Sequence, residues 1–173
     1  MRYRATGYLL TVLALTTVIW VGTVIAGQAT APPVTTLEDK IEAIGEPGFL
    51  FYVTYVNAAL ITLLTVASMA ALYRYCREVD PFSSTVGFAF APIYGMGNLV
   101  AYLSQVFVVP HLLDLYQAPG TKVIARTLLG LTLQEWQPSA VAALNGLSYA
   151  VLGIPSIVFG VLMARRSRAL RSR

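Results

Sequence analysis

The four longest apolar runs of this sequence have no aspartate, glutamate, lysine, arginine or histidine in their central parts. Most activities of small membrane proteins place an ionisable residue within a span. A proton-coupled exporter needs a buried carboxylate, and a retinal protein needs a lysine inside the membrane. The absence of such residues excludes both classes, and it leaves voltage sensing without support.

Cysteine and histidine are almost missing as well. Cys76 is the single cysteine and His111 the single histidine. One cysteine cannot form an intramolecular disulfide, and one histidine cannot ligate a haem iron from both sides. Quinone-linked disulfide oxidases and four-helix haem-b carriers are therefore excluded, and the sequence predicts no cofactor and no metal.

What the sequence does have is apolar side chains. Of its 173 residues, 57% are hydrophobic and only 12% are charged, whereas about a quarter of the residues of a soluble domain are charged. This composition is typical of integral membrane proteins. The length suits one domain of about four membrane helices, since each crossing takes roughly 20 residues.

We predict an all-α integral membrane protein, a four-transmembrane-helix bundle formed by residues 1–173 as a single membrane domain. The spans are placed at about 5–26, 48–73, 85–109 and 139–163, with long connections at 27–47 and 110–138 and a basic tail at 164–173. The first run has the plan of a signal peptide, and Ala29-Thr30-Ala31 resembles a cleavage site. It is longer than a usual signal core, so we interpret it as a retained helix.

Lysine and arginine are distributed unevenly between the two sides of this predicted bundle. Lys40, Lys122 and Arg126 lie in the two long connections. The opposite side carries Arg2, Arg4, Arg74, Arg77, Arg165, Arg166, Arg168, Arg171 and Arg173. The positive-inside tendency predicts that both termini are cytoplasmic, in the cytoplasmic membrane of a bacterium, and that the long connections form a small outer cap.

The first long connection predicts a short helix from Leu37. Thr36 is a plausible N-cap with Asp39 as its capping partner, and Leu37, Ile41 and Ile44 would face the membrane surface. The acidic residues of this connection lack the spacing of a calcium loop. We interpret them as solvated.

The second long connection contains one apolar stretch, 123–133. This stretch is too short to cross a membrane, and a charged residue interrupts it. The connection predicts two short interfacial helices that turn at Pro119-Gly120. A re-entrant hairpin that lines a cavity is the alternative.

A row of polar side chains marks the third span, for which Ser83 or Ser84 is the predicted N-cap and Pro92 the predicted bend. Tyr94, Asn98, Tyr102 and Gln105 fall on one helical face. An amide or phenol without a partner costs roughly 2–7 kcal/mol in hydrocarbon, so this face should meet other helices. We therefore expect the other spans to gather round this helix.

Two interpretations of the row remain open. The row and residues of neighbouring spans form a predicted ligand-binding set for a neutral amphipathic molecule, such as a lipid or a quinone. That set consists of Tyr94, Asn98, Tyr102, Gln105, Asn57, Asn145 and Tyr149. In the second interpretation these groups bond to one another and hold the helices together.

The fourth span offers a helix-packing pattern. Gly146, Gly153 and Gly160 recur every seven residues and predict a seam for a neighbouring helix. Pro155 should bend the span.

Few reactive groups lie outside the apolar runs. His111, Asp114 and Glu135 are the candidates, and His111 with Asp114 could form a base and its carboxylate or two metal ligands. In the alternative, His111 caps helix carbonyls and Asp114 is solvated. Cys76 is either palmitoylated or a plain interfacial thiol.

The basic tail predicts contact with anionic lipid headgroups or with an acidic partner subunit. Its arginines are Arg165, Arg166, Arg168, Arg171 and Arg173. No aromatic-interleaved basic patch is present, so nucleic acid is not an expected partner.

These observations favour a non-catalytic protein, an accessory or assembly subunit of a larger membrane complex. The alternative is a carrier or enzyme that holds a neutral lipid-like or quinone-like ligand against the third span. A self-associating pore is a third possibility, but the polar row lacks a charged ring or carbonyl filter.

Overall fold

The computed structural model describes residues 2–30 and 34–171, with side chains described for residues 7–27 and 34–168. Seven helices make up this part of the chain, and it contains no strand. They are α1 (Arg2–Thr30), α2 (Leu37–Ile44), α3 (Phe49–Cys76), α4 (Pro81–Phe107), α5 (Val109–Gln117), α6 (Lys122–Thr132) and α7 (Ala140–Arg171).

Four segments are long and apolar enough to cross a membrane, at Gly7–Gly27, Phe49–Cys76, Pro81–Gln117 and Ala140–Arg168. They indicate a membrane protein and confirm the four predicted runs. Two of the helical segments extend beyond the predicted spans. The third segment continues through α5 with little interruption, because the Val108 amide still bonds to the Ser104 carbonyl at 2.9 Å. The fourth continues as helix to Arg171, so most of the predicted basic tail is helical.

Helix α4 is the centre of the packing, with α3 on one side and α7 on the other. Helix α1 departs from the expectation that every span gathers round α4. It packs along α3 and has little contact with α4 or α7. The tightly packed core is therefore a three-helix unit, to which α1 is attached at an edge.

Glycines on α4 allow its close approach to α7. A Cβ atom at Gly97 would lie 2.0 Å from Ser148 Oγ, and one at Gly87 would lie 2.9 Å from a methyl carbon of Val158. The glycine row of α7 is not the seam used within the chain. A Cβ atom at Gly146, Gly153 or Gly160 would meet no atom of another helix within 4 Å.

The start of α4 differs from the prediction of a serine N-cap. Asp80 is the N-cap, and its carboxylate accepts bonds from the Ser83 amide at 3.0 Å and the Ser83 hydroxyl at 2.7 Å. Pro81 then begins the helix. Proline has no backbone N–H group, and this costs nothing in the first turn, where N–H groups have no partner within the helix. Ser84 is fully buried further inside.

Helices α2, α5 and α6 pack together over one end of the spans, and we call them the cap. Their shared apolar core consists of Leu37, Ile41, Val109, Leu112, Leu113, Tyr116, Ala125, Leu129 and Leu133. This confirms that the two long connections meet. It corrects the orientation of α2, whose Leu37 and Ile41 face this core instead of a membrane surface.

The structure confirms the capping box and the turn predicted for the cap. The Asp39 amide donates to the Thr36 hydroxyl at 3.1 Å, and the Thr36 amide donates to the Asp39 carboxylate at 2.9 Å. The turn between α5 and α6 contains Gly120 with φ of 85°, a conformation that glycine adopts without strain.

Candidate functional site

The predicted polar row of α4 is buried inside the chain. Tyr94, Asn98, Tyr102 and Gln105 each expose 2% of their surface or less. The opposite side of α4 is apolar and exposed, at Ile93, Met96, Val100 and Leu103. The helix thus turns its polar groups toward protein, as the cost of an unpartnered amide in lipid requires.

Tyr149 of α7 contacts two aromatic residues of this row. The hydroxyl oxygens of Tyr102 and Tyr149 are 2.8 Å apart, so one donates to the other. The ring centroids of Tyr94 and Tyr149 are 5.8 Å apart. Hydrogen bonds between membrane helices contribute about 0.6 kcal/mol on average. This part of the row matches the interpretation in which the polar groups hold helices together.

Gln105 fastens α4 to the end of α6. Its amide nitrogen donates to the Thr132 carbonyl at 2.8 Å, and its amide oxygen accepts from the Gln134 backbone amide at 3.2 Å. Thr132 is the last residue of α6, where carbonyls have no partner within the helix. Sequence reasoning missed this role, because the partners are backbone groups that carry no residue-type signal.

Asn98 is the exception within the row. It is fully buried, and neither atom of its amide makes a hydrogen bond with the residues that the structure describes. The Tyr94 hydroxyl lies nearby, close also to Thr62 and Thr65. An amide in this state is unfavourable by the several kcal/mol of its desolvation.

The two other asparagines of the predicted ligand set lie beside different parts of the chain. Asn57 does not join the row: its amide nitrogen donates to the Thr16 carbonyl of α1 at 2.8 Å and so attaches α1 to α3. Asn145 lies beside the Tyr102 hydroxyl, and its side-chain oxygen is buried without a hydrogen-bond partner among the described residues.

A second polar group lies where the cap meets the spans. The Tyr55 hydroxyl donates to the Glu135 carboxylate at 3.0 Å, and Lys40 forms an ion pair with the same carboxylate. Glu135 was predicted as a reactive candidate. Tyr55 and Lys40 were not, since they come from distant parts of the chain and no local spacing links them to Glu135.

This polar group lies at an open cleft of about 580 Å³ between α1, α2, α3 and the segment after α6. Neither this cleft nor a smaller one beside Trp136 reaches Asn98. The lining residues are Trp20, Thr23, Val24, Gly27, Lys40, Ala43, Ile44, Pro47, Gly48, Leu50, Phe51, Thr54, Tyr55, Tyr102, Gln134, Glu135 and Gln137.

A further ion pair closes the cap on its exposed side. Arg126 of α6 pairs with Glu38 of α2. The hydrogen bond from Arg126 lowers the pKa of Glu38, and hydrogen bonding by Thr36 lowers the pKa of Asp39. Both carboxylates therefore keep their negative charge to lower pH than free side chains do.

The basic segment of α7 is partly engaged within the chain. Arg166 donates to the Tyr75 carbonyl at 2.7 Å and to Glu78 at 3.0 Å, and its guanidinium lies 4.0 Å from the centre of the Tyr75 ring. Arg165 and Arg168 are exposed, so contact with lipid or a partner stays a prediction for them. The side chains of Arg171 and Arg173 lie outside the described residues.

The remaining reactive candidates do not come together. His111 and Asp114 are exposed on α5, and no group of three potential metal ligands exists among the described residues. Cys76 is fully buried against Phe159 and Leu162, so the palmitoylation hypothesis does not fit its position.

Comparison of the chain with protein-family models, with curated protein sequences and with solved structures finds no match. The chemistry of the chain's own side chains is therefore the basis for a functional assignment.

Proposed function

We propose that this chain is a non-catalytic subunit of a larger membrane complex. The observation that carries the proposal is the engagement of the α4 polar row within the chain. Tyr102 bonds to Tyr149, and Gln105 bonds to the end of α6. Polar groups used in this way build a rigid scaffold and leave few free groups for chemistry.

The outward faces of the spans support a role in assembly. None of the most apolar part of α1 is buried within the chain, and the glycine row of α7 opens away from α4. Small residues let the backbones of two membrane helices approach closely, which is how helices associate where lipid offers no hydrophobic drive. A transmembrane helix of another subunit is the occupant that such a row fits.

The alternative is a carrier or enzyme that holds a neutral lipid-like or quinone-like ligand against α4. The unpartnered amide of Asn98 is the observation in its favour. A ligand held there should depend on that amide. Equal uptake of a labelled quinone by the wild-type chain and by Asn98→Leu would remove this alternative.

We further propose that the cap lies on the outer side of a cytoplasmic membrane and that both termini lie inside. Arg74, Arg77 and Arg165 lie at the end of the spans opposite the cap, in agreement with the positive-inside tendency. Helix α6 exposes an apolar strip suited to lie at the membrane surface, at Val123, Ile124, Leu128 and Leu131.

Thiol labelling in whole cells tests this orientation. In chains whose buried Cys76 is replaced by alanine, we expect the exposed positions Glu46→Cys and Glu78→Cys to behave oppositely toward a membrane-impermeant maleimide. Position 46 should react from outside, and position 78 only after the cells are broken. The reverse order would contradict the orientation.

The subunit proposal itself is tested by isolating the chain from its own membranes in mild detergent. We expect it to leave the membrane with at least one other chain. The variant Gly146→Leu, which fills the open α7 face, should reduce that association while the isolated chain still folds.

A further inference from the structure

The cleft between α1 and the cap has charged side chains at one end and apolar walls. Lys40 and Glu135 form its ion pair, and Tyr55 bonds to the same carboxylate. Its walls include Trp20 and Val24 of α1 and other large apolar side chains, Ile44, Leu50 and Phe51. A site with one charged part and one apolar part suits a molecule with a polar head and a hydrocarbon body.

The position of the cleft along the spans agrees with such a molecule. Its α1 residues occupy the last two turns of the segment Gly7–Gly27, and its α3 residues the first two turns of Phe49–Cys76. These turns lie at the level where lipid headgroups meet hydrocarbon. A volume of about 580 Å³ is enough for a headgroup and the upper part of one acyl chain.

The charges of the cleft are balanced. One ammonium group and one carboxylate lie side by side, so neither an anion nor a cation alone is matched by the site. A headgroup that carries both charges places its phosphate near Lys40 and its positive group near Glu135. This complementarity favours a zwitterionic lipid over an anionic one.

Glu135 distinguishes between the two common zwitterionic headgroups. Its side chain lines the cleft and has a relative exposure of 49%, so its carboxylate can accept hydrogen bonds beyond those from Tyr55 and Lys40. Such bonds need a ligand that brings N–H donors. A primary ammonium has three such donors, whereas a quaternary ammonium has none.

We propose that this cleft binds one molecule of a phospholipid with a primary-ammonium headgroup, of the phosphatidylethanolamine type. Glu135 receives the ammonium, Lys40 holds the phosphate, and Trp20, Val24 and Phe51 line the path of an acyl chain. The site does not depend on the subunit proposal, because its polar groups lie where the cap meets the spans and not on the glycine face of α7.

Native mass spectrometry of the full chain in detergent tests the site, with phosphatidylethanolamine, phosphatidylcholine and phosphatidylglycerol of identical acyl chains as probes. We expect phosphatidylethanolamine to bind about tenfold more tightly than phosphatidylcholine, since the latter leaves charged hydrogen bonds unmade. Equal binding of all three lipids, which indicates non-specific annular lipid, would overturn the proposal. A preference for phosphatidylglycerol would overturn it too.

Two variants and a control make the test specific to the cleft. Glu135→Gln removes the negative charge, and Val24→Trp fills the apolar part without touching the ion pair. Each should abolish the tenfold preference. Glu46→Gln removes a carboxylate outside the cleft, from the connection that carries Lys40, and should retain the preference. Retention of the preference in Val24→Trp would contradict the proposal even if Glu135→Gln failed to fold.

Discussion

Gln105 and Asn98 show how two buried amides on one helix can have opposite effects on stability. Both are fully buried on α4, two turns apart. Gln105 uses both ends of its amide in bonds to the cap, while Asn98 uses neither. Whether a substitution at each site raises or lowers the free energy of unfolding depends on this difference in bonding and not on burial.

We therefore expect Gln105→Leu to lower the free energy of unfolding by about 1–3 kcal/mol, because it leaves the Thr132 carbonyl and the Gln134 amide unpaired. Asn98→Leu, of similar size, should leave stability unchanged or raise it, since it removes an unpaired amide. Reversible unfolding of the purified chain in mixed detergent micelles measures both. A larger loss for Asn98→Leu than for Gln105→Leu would contradict this assignment of partners.

For the individual helices, the sequence predicted their positions and the buried polar face of α4, but not which face of α7 meets α4. The apolar runs, the capping box at Thr36 and the turn at Pro119-Gly120 are local signals, and each is present in the structure. The pairing of faces depends on long-range packing. The glycine row of α7 predicts a packing face on that helix. In the structure, however, α4 and α7 approach each other closely at the glycines of α4.

Paired glycine substitutions test this choice of seam. Gly97→Leu places atoms where Ser148 already packs, so it should lower the free energy of unfolding by about 1–3 kcal/mol. Gly146→Leu, the matched control on the open face of α7, should leave the isolated chain as stable as the wild type. Thermal unfolding in one detergent compares them, and equal losses would show that both glycines lie in packed contacts.

At the scale of the whole molecule, α1 stands apart from the helices that build the core. It packs on α3, and its amide-to-carbonyl link through Asn57 and Thr16 joins the two. The sequence predicted that all the other spans gather round α4, because hydrophobicity indicates that a helix lies in a membrane but not which helix it packs against. The cleft at the cap was equally hidden, since Lys40, Tyr55 and Glu135 meet only after the chain has folded.

An edge helix and an open glycine face are the places at which a larger assembly would join this chain. The core unit of α3, α4 and α7 has polar groups that bond within it, which gives a stable platform and leaves the outer faces for other helices. Among the described residues, by contrast, no three histidine, cysteine, aspartate or glutamate side chains come together as potential metal ligands.

Native mass spectrometry of the particle extracted from its own membranes in mild detergent tests whether this chain is a subunit of a larger membrane complex. We predict a mass that equals this chain of 18.7 kDa plus at least one different polypeptide. A mass equal to one chain with bound lipid, or to a multiple of this chain alone, would contradict the claim.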